Sequence, residues 1–399
     1  MSPGKNFAAP KLEYVSPASS VRGRIRVLCC EGAIGFGGSG KSLVELIRHM
    51  PDVEAHILVA SESIVAAPRQ ITVFSDERLA HGPLPDASRL VRYFDDARYL
   101  LVWLKAVVKA ARACKAEVLH SNNCLAVNLS VLLAGRILGI PVVAHQRGFL
   151  ARNLRLRVAL RFLHTTPVIA ISNAIASNLE ECGVPRENIF QVYDVVEGPT
   201  GDERTLPRGT EQVLQVGMHS VLTGWKGQRT LIQAAAILHR ETPGLFRFQI
   251  AGGTLPGEES YLAQLEADVA SYGLSEYVTF LGHVADVYAF LSGIDISVHA
   301  SLSPEPLGRV IVESQLAGVC VVAADAGGAR ELVDDDCGVR FLPGDARSLA
   351  GALRTLSLDR DRLRSLAAEG KKRASHTFDS KALAKRVSNI FASQIKRHS

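Results

Sequence analysis

The residues with the most chemistry to offer lie between His299 and Phe341, in the run HASLSPEPLGRVIVESQLAGVCVVAADAGGARELVDDDCGVRF. The apolar segment DISVHAS predicts a strand, and the loop after it, with Pro304 and Pro306, carries Glu305. LGRVIVESQLAG then has the spacing of a helix closed by Gly318, followed by another buried strand. Glu305 therefore precedes the positive end of that helix, and Glu313 belongs to its second turn. At about 100° per residue, Glu313 shares a face with Arg309. The two carboxylates can address different parts of one ligand, while the amides of Leu307 and Gly308 at the helix start are placed to bind a diphosphate.

Three other stretches carry chemistry. GFGGSGKS, Gly35 to Ser42, fits the phosphate-binding pattern G-x-x-x-x-G-K-[ST], with Lys41 and Ser42 at its fixed positions. That mechanism wants a strand running straight into the first Gly, whereas RVLCC ends near Cys30 and EGAI intervenes. Lys226 follows the strand pattern VLQVG, where a cation can meet phosphate. His145 ends the strand pattern PVVAH and is followed by Gln146 and Arg147. A basic amphipathic segment then contains Arg147, Arg152, Arg155, Arg157 and Arg161 without an acid among them. It suits an acceptor carrying phosphate or an anionic membrane surface, or else a solvated helix face.

The elements that must position these residues form two similar series. RVLCC, AHILVA, ITVFS, EVLHS, PVVAHQ, VIAIS and IFQVY are strand candidates in the first half. QVLQVG, RFQIAGG, YVTFLG, DISVHAS, VCVVAAD and GVRFLP are those of the second, and helical patterns alternate with both sets. Such alternation predicts an α/β chain of two Rossmann-like doubly wound domains facing across a cleft, with ligands outside the carboxyl ends of the strands. The expected divisions are a lead-in over 1–20, an acceptor-side domain over 21–200, a donor-side domain over 201–378 and a terminal helix over 379–399. EGPTGDERTLPRGT reads as the linker. The terminal helix could pack onto either domain.

Composition narrows the class. A chain of 399 residues with 47% hydrophobic and 21% charged content has enough apolar surface for two cores. No apolar run reaches the roughly 20 residues of a membrane span, and the first segment lacks the apolar stretch of a signal peptide. Most of the seven cysteines sit in or beside apolar runs, and there are no C-x-x-C pairs, which favours core packing in a reducing cytoplasm. The net charge of +5 is concentrated in the N-terminal half, and with only 6% aromatics and no binding motif it does not predict a nucleic-acid partner.

Taken together, these motifs resemble the GT-B glycosyltransferases of family 4, whose hallmark is E-x7-E followed by a Gly-closed helix, a PVV-like strand and a GG…E loop. Glu305, Glu313, Gly318, CVVAAD and GGARELV, with Glu331, fit that series. The resemblance assigns the ribose hydroxyls of a sugar nucleotide to Glu313 and the donor sugar to Glu305. VLQVGMHSVLTGWKGQRTLIQAAAIL is similar to the family's first donor-domain strand, phosphate loop and helix, which gives Lys226 the diphosphate. Gly217, Gly252 and Gly282 match donor-side loop glycines, with Gly253 beside Gly252 at its strand end. His145 matches an acceptor-domain histidine near the donor sugar. Gly37 and Gly38, with Ser39, match a Gly-Gly turn facing the phosphate or the acceptor, making Lys41 a helper.

The chain departs from the family twice. Met218 and His219 stand where an Arg is usual after the strand's Gly, so the expectation is that either Arg229 or Arg309 reaches in or diphosphate binding is weaker. The usual Asn-Gly-Val-Asp is replaced by Tyr193, Asp194, Val195 and Val196, which carry no assigned role.

The resemblance implies a retaining, metal-independent hexosyl transfer from a UDP- or GDP-sugar, without a cofactor, to a glycan, lipid-linked or small-molecule hydroxyl. It places the chain in bacterial surface-polysaccharide assembly, in the cytoplasm or on the inner face of the membrane. Lys226, the two amides and the helix dipole would meet the leaving charge. Front-face substitution is the expected route, the departing phosphate helping to deprotonate the acceptor. A P-loop NTPase or kinase and a non-catalytic sugar-nucleotide-binding protein of the same fold are the alternatives.

Overall fold

The structure is a computed structural model that describes residues 23–32, 38–60, 71–75, 79, 89–122, 129–150, 164–199, 213–255 and 257–398. Gly35, Gly37, Arg152, Arg155, Arg157 and Arg161 lie outside the described residues. The chain divides into two compact units, Met1–Val195 with Ser380–Ser399, and Val196–Asp379.

The first unit runs β1 (Ile25–Glu31), α1 (Gly38–Arg48), β2 (Val53–Val59), β3 (Thr72–Ser75), α2 (Arg89–Ala113), β4 (Val118–Asn122), α3 (Leu129–Leu138), β5 (Val142–Gln146), β6 (Val168–Ala170), α4 (Asn173–Glu181) and β7 (Ile189–Gln191). Its described strands form a parallel sheet in the order β3-β2-β1-β4-β5-β6-β7. All five residues of β4 are buried, as they must be in a parallel strand covered on both faces. One helix of this unit starts where the sequence supplies an acceptor. The Ser172 hydroxyl accepts from the Ile175 amide at 3.1 Å and caps α4.

The second unit continues with β8 (Leu214–His219), α5 (Gln228–Glu241), β9 (Phe246–Ala251), α6 (Glu259–Ser271), β10 (Val278–Gly282), α7 (Val287–Ser292), β11 (Ile296–His299), α8 (Arg309–Leu316), β12 (Cys320–Ala324), α9 (Ala329–Leu332), β13 (Val339–Phe341), α10 (Ala346–Leu358) and α11 (Arg360–Thr377). The sheet order is β10-β9-β8-β11-β12-β13, again parallel. Its core packs Val216, Met218, Ile250, Ile296 and Val322 with Leu231, Ala235 and Leu353 of the flanking helices. Asp286, Asp345 and Asp359 cap α7, α10 and α11.

The last helix, α12 (Ser380–His398), belongs to the first unit. Phe391 is buried with its ring centroid 5.3 Å from that of His120 on β4, and Lys385 reaches Asp52 at 2.7 Å. The alternating pattern of the sequence is compatible with either unit; the buried aromatic is what selects one.

In both sheets the strand order reverses between the first strand and its fourth-strand neighbour, β1 beside β4 and β8 beside β11. The carboxyl ends of those pairs are where an open α/β sheet leaves room for a ligand. Lys226, Glu305, Arg309 and Glu313 gather at the second of these places, and His145 and Arg147 at the first.

Candidate active site

The second unit assembles two carboxylate clusters at the ends of β8 and β11. In the first, Lys226 Nζ, Ser301 Oγ and His299 Nε2 converge on one oxygen of Glu305, Oε1. Ser301 donates at 2.6 Å and His299 Nε2 lies at 3.2 Å. Each partner comes from a different local structure. His299 is the last residue of β11, Ser301 follows it, and Lys226 ends the 3-10 turn Gly224–Lys226 after β8. That turn is closed by Gly227 at φ +81, where a side chain would meet the Ala300 carbonyl oxygen at 2.0 Å. Only glycine lets the Lys226 loop lie this close to the Ser301 loop.

The Glu305 loop is braced from behind by the GG pair. Glu305 and Gly327 form a parallel bridge, and the Gly328 amide donates to the Glu305 carbonyl at 2.8 Å. A Cβ on Gly328 would stand 2.6 Å from Leu307 Cα. The two glycines of the GG…E loop thus serve backbone approach to the Glu305 loop.

In the second cluster, Glu313 is held at both oxygens. Arg309 Nε donates to Oε1 at 3.0 Å along one helix face, and His219 Nε2 lies 3.2 Å from Oε2. His219 is the last residue of β8, next to β11 in the sheet. Behind them Ser314 Oγ donates to Ser297 Oγ at 2.7 Å and ties α8 to β11.

Electrostatics define what Glu305 can do. Burial opposes its ionisation, but the hydrogen bond and charge of His299 and the charge of Lys226 outweigh that and hold the carboxyl well below the usual carboxylate range. Glu305 is therefore an anion and a hydrogen-bond acceptor, not a general acid. Its Oε1 is fully engaged by three donors, which leaves Oε2 to meet a ligand. Among the described residues, neither the Leu307 nor the Gly308 amide donates to a protein acceptor, and Gly308 enters α8 at φ +93 without a side-chain cap.

The remaining donor-side expectations divide. Arg309 lies in the site, bound to Glu313, but Arg229 does not reach in. Its guanidinium turns outward to Asp268 of α6 at 2.7 Å. The charge expected from Arg229 is drawn away because α5 and α6 pack side by side and offer it an acid there. Gly217 has a packing role: a Cβ there would lie 2.5 Å from Ile294 Cδ1 and 2.8 Å from Phe290 Cζ. Gly217→Ala should accordingly cost about 1–3 kcal/mol through overpacking, read by urea denaturation. Gly252 follows β9 and packs on the Ser220 carbonyl, and its amide donates to the Gly282 carbonyl at 2.7 Å. Gly282 ends the edge strand β10, two strands away from β8.

The first unit gathers a buried polar network at the ends of β1, β4 and β5. Glu31, Asn122 and His145 are in lateral register across those strands. Asn122 donates to Glu31, and Arg147 donates to Asn122 Oδ1 and clasps Asp194, with Nε 3.1 Å and 3.2 Å from its two oxygens. Arg147 thus corrects the expectation of a surface residue for acceptor or membrane. It is 9% exposed, because the replaced tetrapeptide supplies Asp194 as a buried counter-ion. Gly38 begins α1, with Ser39 and Lys41 in the first turn and Ser42 buried beneath.

His145 lies in this network, 2% exposed, with Nδ1 3.3 Å from His120 Nε2. Burial, and then the Arg147 charge, lower the His120 pKa to about 3 and push that of His145 well below the usual imidazole value. Folded-state values below the unfolded one make stability complete above about pH 6.5 and progressively lost as pH falls towards the folded values. Unfolding free energy of the chain is expected to start falling below about pH 6.5, and His120→Asn to reduce that slope, both by denaturation at stepped pH.

His219, His299, Ser301 and Asp194 are members of these clusters that motif reading missed. The available signal was position, since each histidine closes a strand at the point where its sheet order reverses.

Parallel α/β units with acids, cations and helix starts gathered at the reversal of strand order have the architecture of doubly wound ligand-binding domains. Residues 36–197 match the family Glycosyltransferase Family 4, and residues 205–373 match Glycosyl transferases group 1. The lipopolysaccharide core biosynthesis glycosyltransferase LpsE of Rhizobium meliloti is 28% identical over 243 residues, 58% of this chain and 66% of that one. A GDP-mannose-dependent alpha-(1-6)-phosphatidylinositol monomannoside mannosyltransferase of Mycobacterium tuberculosis is 32% identical over 157 residues, 37% of this chain and 39% of that one. The matches thus span less than two thirds of either curated relative. Anabaena Alr3699/HepE, solved with UDP and glucose, has 25% identity and a TM-score of 0.74, covering 93% of this chain and 100% of that one. The chain belongs to the GT-B glycosyltransferases of family 4.

Proposed function

We propose that the protein transfers a hexosyl group from a nucleotide sugar to a hydroxyl of a glycan or lipid-linked acceptor in surface glycoconjugate synthesis. The observation that carries this reading is the meeting of Glu305, Lys226 and the open start of α8 at the end of β11. Lys226 would exchange its Glu305 partner for the donor diphosphate, joined by the Leu307 and Gly308 amides and the α8 dipole. Glu305 would keep its charge and offer Oε2 to the donor sugar, and Glu313, fixed by His219 and Arg309, would take the ribose hydroxyls. His145 and the Gly37–Ser39 turn would serve the sugar and the acceptor.

Retention of anomeric configuration by front-face substitution, without a metal, completes the proposal. Departing phosphate would accept the acceptor proton as the new glycosidic bond forms. The names of the relatives support two donor classes, GDP-mannose and a UDP-sugar. A peripheral position on an anionic membrane rests on the basic run with Arg152, Arg155 and Arg157. Among the described residues, no helix is long and apolar enough to cross a membrane.

The test is a panel of sugar nucleotides assayed for nucleotide release, preceded by melting shifts with UDP, GDP and ATP. A uridine or guanosine diphosphate at about 100 times its Kd should stabilise the chain by about 2.7 kcal/mol. Stabilisation by ATP alone, abolished in Lys41→Ala, would replace this reading with the P-loop one. Binding of UDP or GDP without turnover of any donor would leave a sugar-nucleotide-binding protein. Liposome flotation with anionic vesicles checks the membrane arm; binding that persists after Arg152, Arg155 and Arg157 are replaced would remove it.

A further inference from the structure

Asp194 stands where the family resemblance assigns no role, and His120 and Cys29 lie beneath His145 in places that the proposed reaction does not use. Four buried groups form one line across the first sheet. Cys29 Sγ on β1 is 3.4 Å from His120 Nδ1 on β4, and His120 Nε2 is 3.3 Å from His145 Nδ1 on β5. His145 Nε2 is 3.7 Å from Asp194 Oδ1 and has no hydrogen-bond partner. The other neighbours are Glu31 at the end of β1, Arg147 and Asn122, which bind one another or Asp194, and the apolar ring of Phe391 from α12.

A contact between two neutral imidazoles holds one proton, so the line can run in only two directions. If His145 carried its proton on Nδ1, its bare Nε2 lone pair would face the Asp194 carboxylate and the Cys29 thiol hydrogen would lose its acceptor. In the opposite direction the thiol and the inner ring nitrogens have partners, and the outer N–H faces a carboxylate oxygen 3.7 Å away. The thiol donates to His120 Nδ1, His120 Nε2–H donates to His145 Nδ1, and His145 Nε2–H is turned towards Asp194.

We propose that Asp194 is a positioning residue that sets the direction of this chain and holds His145 with its proton on Nε2. His145 then presents an N–H rather than a lone pair at Nε2 and cannot act there as a base. Arg147 orients Asp194, so the acid that stands within the replaced tetrapeptide has a purpose at His145. The inference rests on the proposed function for its use but not for its existence, because the tautomers can be read without turnover.

The experiment is long-range nitrogen–proton correlation NMR on the full chain with 15N-labelled histidine, assigned with His120→Gln and His145→Gln. The expected spectrum of the unsubstituted protein shows both rings as Nε2–H tautomers at neutral pH. In Asp194→Leu, loss of the carboxylate leaves the Arg147 guanidinium as the charge beside His145, so a bare Nε2 lone pair is favoured there and both rings should turn to Nδ1–H and, with an active donor, lower kcat at least tenfold more than KM rises. A charged His145 or an Nδ1–H ring in the unsubstituted protein would overturn the proposal even if Asp194→Leu did not fold. A folded Asp194→Leu chain with unchanged tautomers would overturn it equally. Full turnover in a folded Asp194→Leu that has switched its tautomers would show that His145 takes no part in transfer and would end the role of Asp194 as a positioning residue.

Discussion

Glu305→Gln is expected to lower kcat/KM for sugar transfer by about 10²–10³-fold while the folded chain persists. The amide keeps the volume of the side chain and can still accept from Ser301. It cannot keep the charge that three donors hold in place, and Lys226 loses the anion that positions it before the donor arrives. If the deficit lies in kcat, Glu305 acts on charge developing in the transition state; if it lies in KM alone, the carboxylate contributes uniform binding. Unchanged nucleotide release from the variant would remove Glu305 from the reaction. The same substitution has a pH signature. A carboxylate held below its unfolded value adds stability that is present above about pH 4.3 and lost as pH falls through the folded value, so Glu305→Gln should flatten the acid limb of the stability curve in that range alone.

Arg147→Ala is expected to destabilise the first unit by about 3–5 kcal/mol, because it leaves Asp194 buried and uncompensated and removes a donor from Asn122. Arg147→Lys should recover only part of this loss, since an ammonium cannot reproduce the two-oxygen contact of Nε with the carboxylate. Urea denaturation followed by far-ultraviolet circular dichroism measures both variants. A stability equal to that of the unsubstituted protein, with weakened binding to anionic vesicles, would restore Arg147 to the exposed basic surface. The contrast with Arg309 is instructive. It too pairs with a carboxylate, but at 15% side-chain exposure and on its own helix, so Arg309→Ala should cost less in stability and show mainly as loss of donor affinity.

The sequence by itself determined the two parallel sheets, because a strand covered by helices on both faces must be a continuous apolar run, as in CVVAA of β12. It also fixed Glu305 and Glu313 relative to α8, since a loop leading into a helix and a position in its second turn are local facts. Tertiary structure decided the partners. Lys226 and Glu305 are 79 positions apart, His219 and Glu313 are 94, and Arg147 and Asp194 are 47. No period of 3.6 or 2 links residues at such separations, so the pairings follow only from which strands lie side by side in the sheet. Gly217 shows the same division from the other side. Its place towards the end of a strand is legible in the sequence, but the reason for glycine is Phe290 of α7 and Ile294 just after it, which only folding brings against β8. Composition could count the arginines; burial, which depends on where an acid stands in the folded chain, decided that Arg147 lies inside and Arg229 faces out.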